Sequence, residues 1–159
     1  PRAVLPLSSM LTSAVDFLVS AGVFGLLLAY YKVSVDWHLV YLVPLLLLQV
    51  AFMVGVSLLL GAFNAYYRDV RYVLPIALQI WLYATPVVWS MTLVPVQYRT
   101  LYGALNPMAA VIEGWRAAVV RGSAPDAVLV AAAAVTAGIV LLVGYRYFHH
   151  VERNFADVI

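Results

Sequence analysis

The residues with the clearest chemical potential are an acid and a base three positions apart, Glu113 and Arg116. On a helix this spacing places both side chains on one face, where they can form an ion pair. Asp16 lies near one end of a long apolar run, and an ionisable group inside such a run is a functional candidate by default. The adjacent His149 and His150 would point about 100° apart on a helix, which does not suit a shared metal ion.

Known catalytic and cofactor-binding patterns are missing from the sequence. It contains no phosphate-binding loop of the form GxxxxGK[ST], no GxSxG elbow and no HExxH helix, and it has no cysteine. We therefore predict that the chain has no catalytic residue, no metal site and no cofactor of its own.

The composition indicates that the surroundings of the chain are mostly lipid. Of its 159 residues, 65% are hydrophobic and 10% are charged, and the mean hydropathy is +0.98. A soluble domain of this length carries more charge, because its surface must face water. The net charge of +2 and the lack of a lysine- or arginine-rich run give no reason to expect a nucleic-acid partner.

Four apolar runs are long enough to cross a bilayer as helices, since a span needs about 20 residues to cover a core of about 30 Å. We predict spans at about residues 11–31, 39–63, 73–90 and 127–145. The predicted fold is therefore an all-α integral membrane protein with four transmembrane helices, in which residues 1–159 form a single domain.

The segment between the third and fourth spans, residues 91–125, is apolar but carries helix signals of its own. Asn106 is a candidate N-cap, Pro107 suits a first turn, and Gly122 can end a helix. A helix from Pro107 to Arg121 would be only about 22 Å long, too short to cross. It either dips into the membrane as a re-entrant segment or lies flat in the interface.

A polar island, residues 64–72, separates the second and third spans and is predicted to be an aqueous hairpin. It holds Arg68, Asp69 and Arg71 among tyrosines, which favour the headgroup layer. Four spans put this hairpin on the same side as both chain ends. That side carries five of the nine lysines and arginines, a small excess that favours a cytosolic hairpin.

Two predicted spans carry a polar stripe at helical spacing. The first span aligns Ser9, Thr12, Ser13, Asp16 and Ser20, and the third aligns Tyr72, Pro75, Gln79, Tyr83, Pro86 and Ser90, with Trp81 on its opposite side. Such stripes face either a wet path or a neighbouring helix, because lipid cannot satisfy polar groups. We take Tyr72, Gln79, Tyr83, Ser90 and Asp16 as candidate substrate-path residues, and packing between helices is the alternative.

Pairs of small residues four positions apart predict where helices approach closely. They are Ala21 with Gly25, Ser57 with Gly61, and Ala134 with Gly138.

Four segments resemble the membrane permeases of ABC-type exporters of polysaccharides and polyol phosphates, which serve O-antigen, capsule and teichoic acid. In chain order they are "PRAVLPLSSMLTSAVDF", "NAYYRDVRYVLPIALQIWLYATPVVW", "LNPMAAVIEGWR" and "ERNFADVI". The resemblance covers essentially the whole chain. Permeases of this family have six spans after an N-terminal amphipathic helix, and this chain resembles the last four.

The resemblance implies a bacterial or archaeal protein of the cytoplasmic (inner) membrane with both ends of this chain in the cytosol. It implies two protein partners, a second copy of the permease and a separate ABC ATPase that binds ATP and Mg. The substrate would be a lipid-linked glycan carried outwards. Residues 91–125 would form a pair of re-entrant helices, with Glu113 and Arg116 at an outer gate.

The resemblance also implies where the ATPase-facing, cytosolic residues lie. They are Arg2, Arg68, Asp69 and Arg71. Two other classes remain open from the residues alone. An ion- or solute-coupled transporter or channel would show ionisable groups deep in its spans, where only Asp16 qualifies. An intramembrane transferase would need a convergent acid/base or metal cluster.

Overall fold

A computed structural model describes residues 4–32, 37–67 and 69–156, with side chains for residues 15, 16, 18–32, 37–64, 66, 67 and 69–151. These residues form six α-helices and no strand, which confirms the predicted all-α class. The helices are α1 (Val4–Tyr30), α2 (Leu42–Tyr66), α3 (Val70–Ala84), α4 (Val96–Leu105), α5 (Pro107–Trp115) and α6 (Ala127–Ala156). The chain divides into two compact units: residues 1–35, which hold α1, and residues 36–159.

Two helical segments in the described residues are long and apolar enough to cross a membrane, by length and composition. They are Trp37–Asn64, with a mean hydropathy of 2.4, and Ala127–Val151, with 2.6. Only 17% and 22% of their apolar windows are buried, whereas the core helix of a soluble protein is mostly buried. The apolar helical stretches Leu18–Tyr30 and Val70–Ala84 are shorter.

The helices α2 and α6 pack side by side and run in the same direction. A Cβ added to Gly55 would lie 2.7 Å from the Leu141 backbone, and one added to Gly144 would overlap the Gly55 carbonyl oxygen. The backbones therefore touch at this crossing. The contacts advance together along both helices: Leu48 with the cluster around Leu129, then Gly55 with Leu141, then Phe63 with Tyr147.

The small-residue pairs of the sequence do not mark this crossing. Nothing lies within 4 Å of a Cβ added to Gly138, and one added to Gly61 would make only an ordinary contact with Phe148 at 3.8 Å. Within the second unit, the close approach predicted at Gly61 and Gly138 is therefore wrong, whereas the pair of Ala21 and Gly25 belongs to α1 in the other unit and stays a prediction. The reason is that a spacing of four marks a face of a helix, but the crossing point depends on which neighbour packs there.

Helix α3 returns beside α2, since the Trp81 ring lies 6.3 Å from that of Phe52. Only residues 67–69 separate α2 from α3, so the turn is shorter than the predicted hairpin 64–72. Helix α3 ends at Ala84, six residues before the predicted end of the third span. Pro86 explains this, because a proline disfavours the α conformation in the preceding residue, and Thr85 is extended.

Residues 91–125 fold into two short helices, α4 and α5, which form a hairpin at the N-terminal end of the α2–α6 pair. Its core is a buried cluster of Met91, Ala110, Leu129 and Ala133, against which Leu48, Val94 and Tyr102 pack. Leu48 and Ala133 each lie six residues beyond the start of their helix, so the hairpin reaches about 9 Å along α2 and α6.

The predicted helix over 107–121 forms in a modified way. Pro107 occupies the first turn of α5, and Trp115 is followed by one π-helical turn, Arg116–Val120. Gly122 then adopts a φ of 57°, the left-handed conformation that suits glycine, so the predicted stop is confirmed.

Candidate functional site

The C-terminal end of α3 is held by several side-chain hydrogen bonds. A helix leaves its last four carbonyls without partners inside the helix, and here three of them bond to side chains. The Trp81 carbonyl accepts from Thr85 Oγ1 at 2.8 Å, the Tyr83 carbonyl from Trp89 Nε1 at 2.9 Å, and the Ala84 carbonyl from the Tyr102 hydroxyl.

Asn106 ties the start of α5 to this end of α3. Its Nδ2 donates to Thr85 Oγ1 at 2.9 Å and to the Ala84 carbonyl at 3.4 Å. The residue occupies the N-cap position, as predicted, but its side chain does not cap α5. The amide is directed to Thr85 because both residues are buried, at 7% and 3% exposure, and a buried hydroxyl needs a donor or acceptor.

Arg116 extends the same connection from the end of α5. Its Nη2 donates to the carbonyls of Pro86 and Val87 at 3.1 and 3.3 Å, just beyond the end of α3. The carbonyls at a helix C-terminus carry partial negative charge, so a guanidinium is favourable there. We call the four side chains that hold this end of α3, namely Thr85, Tyr102, Asn106 and Arg116, the α3 clasp.

Glu113 is the carboxylate that orients the arginine of the clasp. The predicted pair is confirmed, with Arg116 Nη1 at 3.2 Å from Glu113 Oε2. A second cation, Arg121, donates from Nη1 to Glu113 Oε1 at 2.7 Å. The Glu113 side chain is only 12% exposed, so the two guanidinium groups compensate most of the loss of water around it.

Arg121 is a site residue that sequence reasoning did not assign. It follows Glu113 by eight residues, about two helical turns, which is a weak signal on a regular helix. Arg121 directly follows the π turn Arg116–Val120, and its Nη2 also donates to the Glu113 carbonyl at 3.4 Å.

A polar pocket of about 240 Å³ opens beside Glu113 between the hairpin and the start of α6. Four charged side chains line it, namely Arg99, Glu113, Arg121 and Asp126. Arg99 is fixed by bonds from Nε to the Val94 carbonyl at 3.0 Å and from Nη2 to the Thr92 carbonyl at 3.4 Å. Asp126 caps α6, because its Oδ1 accepts from the amides of Val128 and Leu129.

The candidate path residues fall into three places. Tyr72, Gln79 and Tyr83 are exposed along α3, on the side away from Trp81, which contacts α2. Ser90 does not share this face, because it lies beyond the end of α3 and caps a 3-10 turn at Met91–Leu93. Asp16 is exposed on α1, in the other unit.

Two of the predicted cytosolic residues, Asp69 and Arg71, lie at the turn between α2 and α3. Asp69 and Arg71 are exposed, and Arg71 Nη2 donates to the Tyr72 hydroxyl at 2.8 Å with its guanidinium carbon 4.7 Å from the centre of that ring. Arg2 and Arg68 lie outside the described residues. In the described part of the chain, no group of three or more His, Asp or Glu side chains could hold a metal ion.

Comparison with known proteins gives one consistent result. The family model described as "ABC-2 type transporter" matches residues 1–120. The chain is 29% identical over its full length to the O-antigen export system permease protein RfbA of Myxococcus xanthus. Two O-antigen export system permease proteins RfbA of Klebsiella pneumoniae are 26% and 24% identical, also over the full length of this chain.

The chain spans about three-fifths of these relatives, 62% of the first and 61% of the other two. The match to the family covers three of the four segments on which the resemblance rests, and the relatives cover all four. The chain therefore belongs to the ABC-2 type transporter family, and its relatives are permeases that act in transport rather than as enzymes.

Proposed function

We propose that this chain is the membrane-spanning part of an ABC exporter that moves a lipid-linked polysaccharide or polyol-phosphate polymer out across the cytoplasmic membrane. Membership of the ABC-2 family and the O-antigen export permeases among its relatives support this function. The observation that carries it is the parallel course of α2 and α6, with the α4–α5 hairpin confined to the end where both begin.

The parallel course supports a four-span topology. If α2 and α6 both cross in the same direction, the chain between them must cross back once, and α3 is the helix that leaves α2 at residues 67–69 and returns along it. Helix α3 is about 22 Å long, so the extended residues that follow it complete the crossing. With α1 as a further span, the turn at 67–69 and both ends of the chain are cytosolic.

The same topology makes α4 and α5 a re-entrant pair at the outer side. The hairpin starts where α3 ends and finishes where α6 begins, so it enters and leaves at one end of the bundle. It extends about 9 Å along both long helices, and the non-helical Asn106 between its two helices is buried, at 7% exposure, which is the condition under which non-helical backbone is tolerated within a membrane. Arg116 and Glu113 would hold this outer gate against α3.

The exposed side of α3 supports a substrate path. Within the described part of the second unit, no helix covers Tyr72, Gln79 and Tyr83, so packing against a helix of that unit does not account for them. Polar side chains of this kind are costly in lipid. We assign them to a wet path shared with a second copy of the permease, in which tyrosines stack on sugar rings.

An ABC ATPase that binds ATP and Mg supplies the energy, through contacts with the cytosolic turn that carries Asp69 and Arg71. The test is to purify the full-length permease from its native membrane and identify what remains bound. We expect a dimer of the permease with an ATPase subunit, and ATP-dependent glycan export after reconstitution in vesicles. A permease that transports fully in the absence of any ATPase would disprove the proposal.

A further inference from the structure

The charged pocket beside Glu113 lies next to the gate, and none of the bonds described for its charged side chains goes to α3 directly. Its walls come from the 3-10 turn, α4, α5 and the start of α6, and its charged side chains are Arg99, Glu113, Arg121 and Asp126. Its apolar surface is made by the buried residues Met91, Ala110 and Leu129, at 2%, 0% and 4% exposure. The pocket therefore joins a rigid apolar wall to a ring of charged groups.

Two charged side chains of the pocket are held in place by the protein and still have atoms available for hydrogen bonds to a ligand. Arg99 is held through Nε and Nη2, and Asp126 through Oδ1, as described above. No bond from the described residues occupies Arg99 Nη1 or Asp126 Oδ2. Both groups thus keep hydrogen-bonding capacity while their orientation is set by the protein, which lowers the entropic cost of binding a ligand.

The charge balance indicates which ligand chemistry suits this pocket. Two cations and two anions line it, so an inorganic anion would meet the two carboxylates and a metal ion would meet the two guanidinium groups. A neutral hydroxyl is repelled by neither kind of charge, because it can accept a hydrogen bond from a guanidinium group and donate one to a carboxylate. A ligand with several hydroxyls and an apolar C–H face matches both the charged ring and the wall of Met91 and Leu129.

We propose that this pocket binds a single sugar unit of the exported glycan at the outer end of the permease. Its volume of about 240 Å³ is below the roughly 300–1,000 Å³ of pockets for drug-sized ligands, so it takes one ring rather than an oligomer. The proposal deepens the exporter function and rests on it. It gives the emerging chain a first place to be held outside the path.

Glu113 connects this pocket to the α3 clasp. One carboxylate oxygen binds Arg121, which lines the pocket, and the other binds Arg116, which holds the carbonyls of Pro86 and Val87. A sugar that draws Arg121 or Glu113 into new hydrogen bonds changes the support of Arg116. Occupancy of the pocket thereby affects how firmly the hairpin is held on α3.

The test uses a single cysteine at the pocket edge of the full-length permease in complex with its ATPase. Ala124 is exposed and lines the pocket, and this sequence has no cysteine, so Ala124→Cys introduces the first thiol in it. A membrane-impermeant thiol reagent is added from outside, with glucose, galactose, mannose or N-acetylglucosamine as probe. We expect at least one sugar to slow the modification, by about twofold when its concentration equals Kd.

Matched variants separate sugar binding from other causes of protection. Arg99→Gln and Asp126→Ser should remove the protection, and serine retains the ability to cap α6. Gln97→Asn, at an exposed position on α4 outside the pocket, should retain it. Protection by phosphate or calcium ions in place of every sugar would overturn the proposal, and so would the absence of protection by all four sugars.

Export measured in the same vesicles separates this inference from the function on which it rests. Ala124→Trp fills the pocket and should slow export while ATPase binding stays normal, and unchanged export by this variant counts against the sugar site. If the wild-type complex exports glycan and no sugar protects Cys at position 124, only the pocket assignment fails. If sugars protect but the wild-type complex exports no glycan, the exporter function fails instead.

Discussion

Two kinds of contact stabilise the second unit: close backbone packing where α2 crosses α6, and side-chain hydrogen bonds at the end of α3. At the crossing, Gly55 and Gly144 let two backbones touch, and the atoms nearest to either glycine's Cβ position are backbone atoms. At the end of α3, Thr85 and Asn106 bond to carbonyls of its last turn, and Arg116 bonds to the carbonyls of two residues just beyond it. The first contact depends on the absence of a side chain and the second on particular atoms, so substitutions should affect them differently.

The largest effect is expected from Gly144→Ala at the crossing. The new methyl group would overlap the Gly55 carbonyl oxygen, which is backbone and cannot turn aside, so the helices must separate. Overpacking of this kind costs about 1–3 kcal/mol, and at a backbone contact we expect the upper end. The measurement is the thermal unfolding midpoint of the purified permease. Gly138→Ala is the control, since its methyl group would meet nothing within 4 Å, and equal midpoints for both variants would contradict the crossing.

Glu113→Gln should have the next largest effect, at the junction between clasp and pocket. It leaves Arg116 and Arg121 without their carboxylate in a partly buried place, and a hydrogen bond to a charged group contributes about 1.5–3 kcal/mol. We expect a lower unfolding midpoint and impaired export. Arg121→Gln should cost less, because the Arg121 side chain is 44% exposed.

The double variant Glu113→Gln/Arg116→Gln sharpens the same comparison. It removes both members of the pair and leaves fewer uncompensated groups, so it should unfold at a higher temperature than Glu113→Gln alone. If all these variants fold and export as the wild type does, the cluster is a solvated surface feature and has no role in a gate.

Thr85→Val and Asn106→Ala should each destabilise the clasp by about 1–2 kcal/mol, because each removes the bond between the two side chains and one further bond to a carbonyl of α3, at about 1 kcal/mol per bond. The two losses should not add, because both remove the bond between Thr85 Oγ1 and Asn106 Nδ2. A double-mutant cycle on unfolding free energies measures this coupling, expected at about 0.5–3 kcal/mol for residues in contact. Additive losses would show that the two side chains do not act together.

Gln79→Leu and Tyr83→Leu should change stability least, because both side chains are exposed on α3. We expect lower export at normal membrane abundance and normal ATPase binding. Leu78→Ala, which is 56% exposed and about 100° away around the helix, is the matched control. Trp81→Leu should instead lower the free energy of unfolding, because the Trp81 ring packs on Phe52. Normal export by Gln79→Leu and Tyr83→Leu would remove this face from the path.

Much of the unit is encoded in short stretches of sequence. The lengths of the apolar runs predict the helices, the spacing of Glu113 and Arg116 predicts their ion pair, and Gly122 predicts where the segment ends. These features depend on helical periodicity and on the conformational freedom of one glycine, which operate over a few residues. Pro86 also marked the end of α3, but the apolar run continued past it and favoured a longer helix.

Only the tertiary structure determined which distant residues bond to or contact one another. Asn106 finds Thr85 21 residues away and Arg116 finds Pro86 30 residues away, which no local spacing reveals. Gly55 and Gly144 were not distinguished from the other glycines until α2 and α6 were seen to cross there. The physical reason is that periodicity defines the faces of each helix, whereas the packing of helices against one another selects which donors, acceptors and backbones meet.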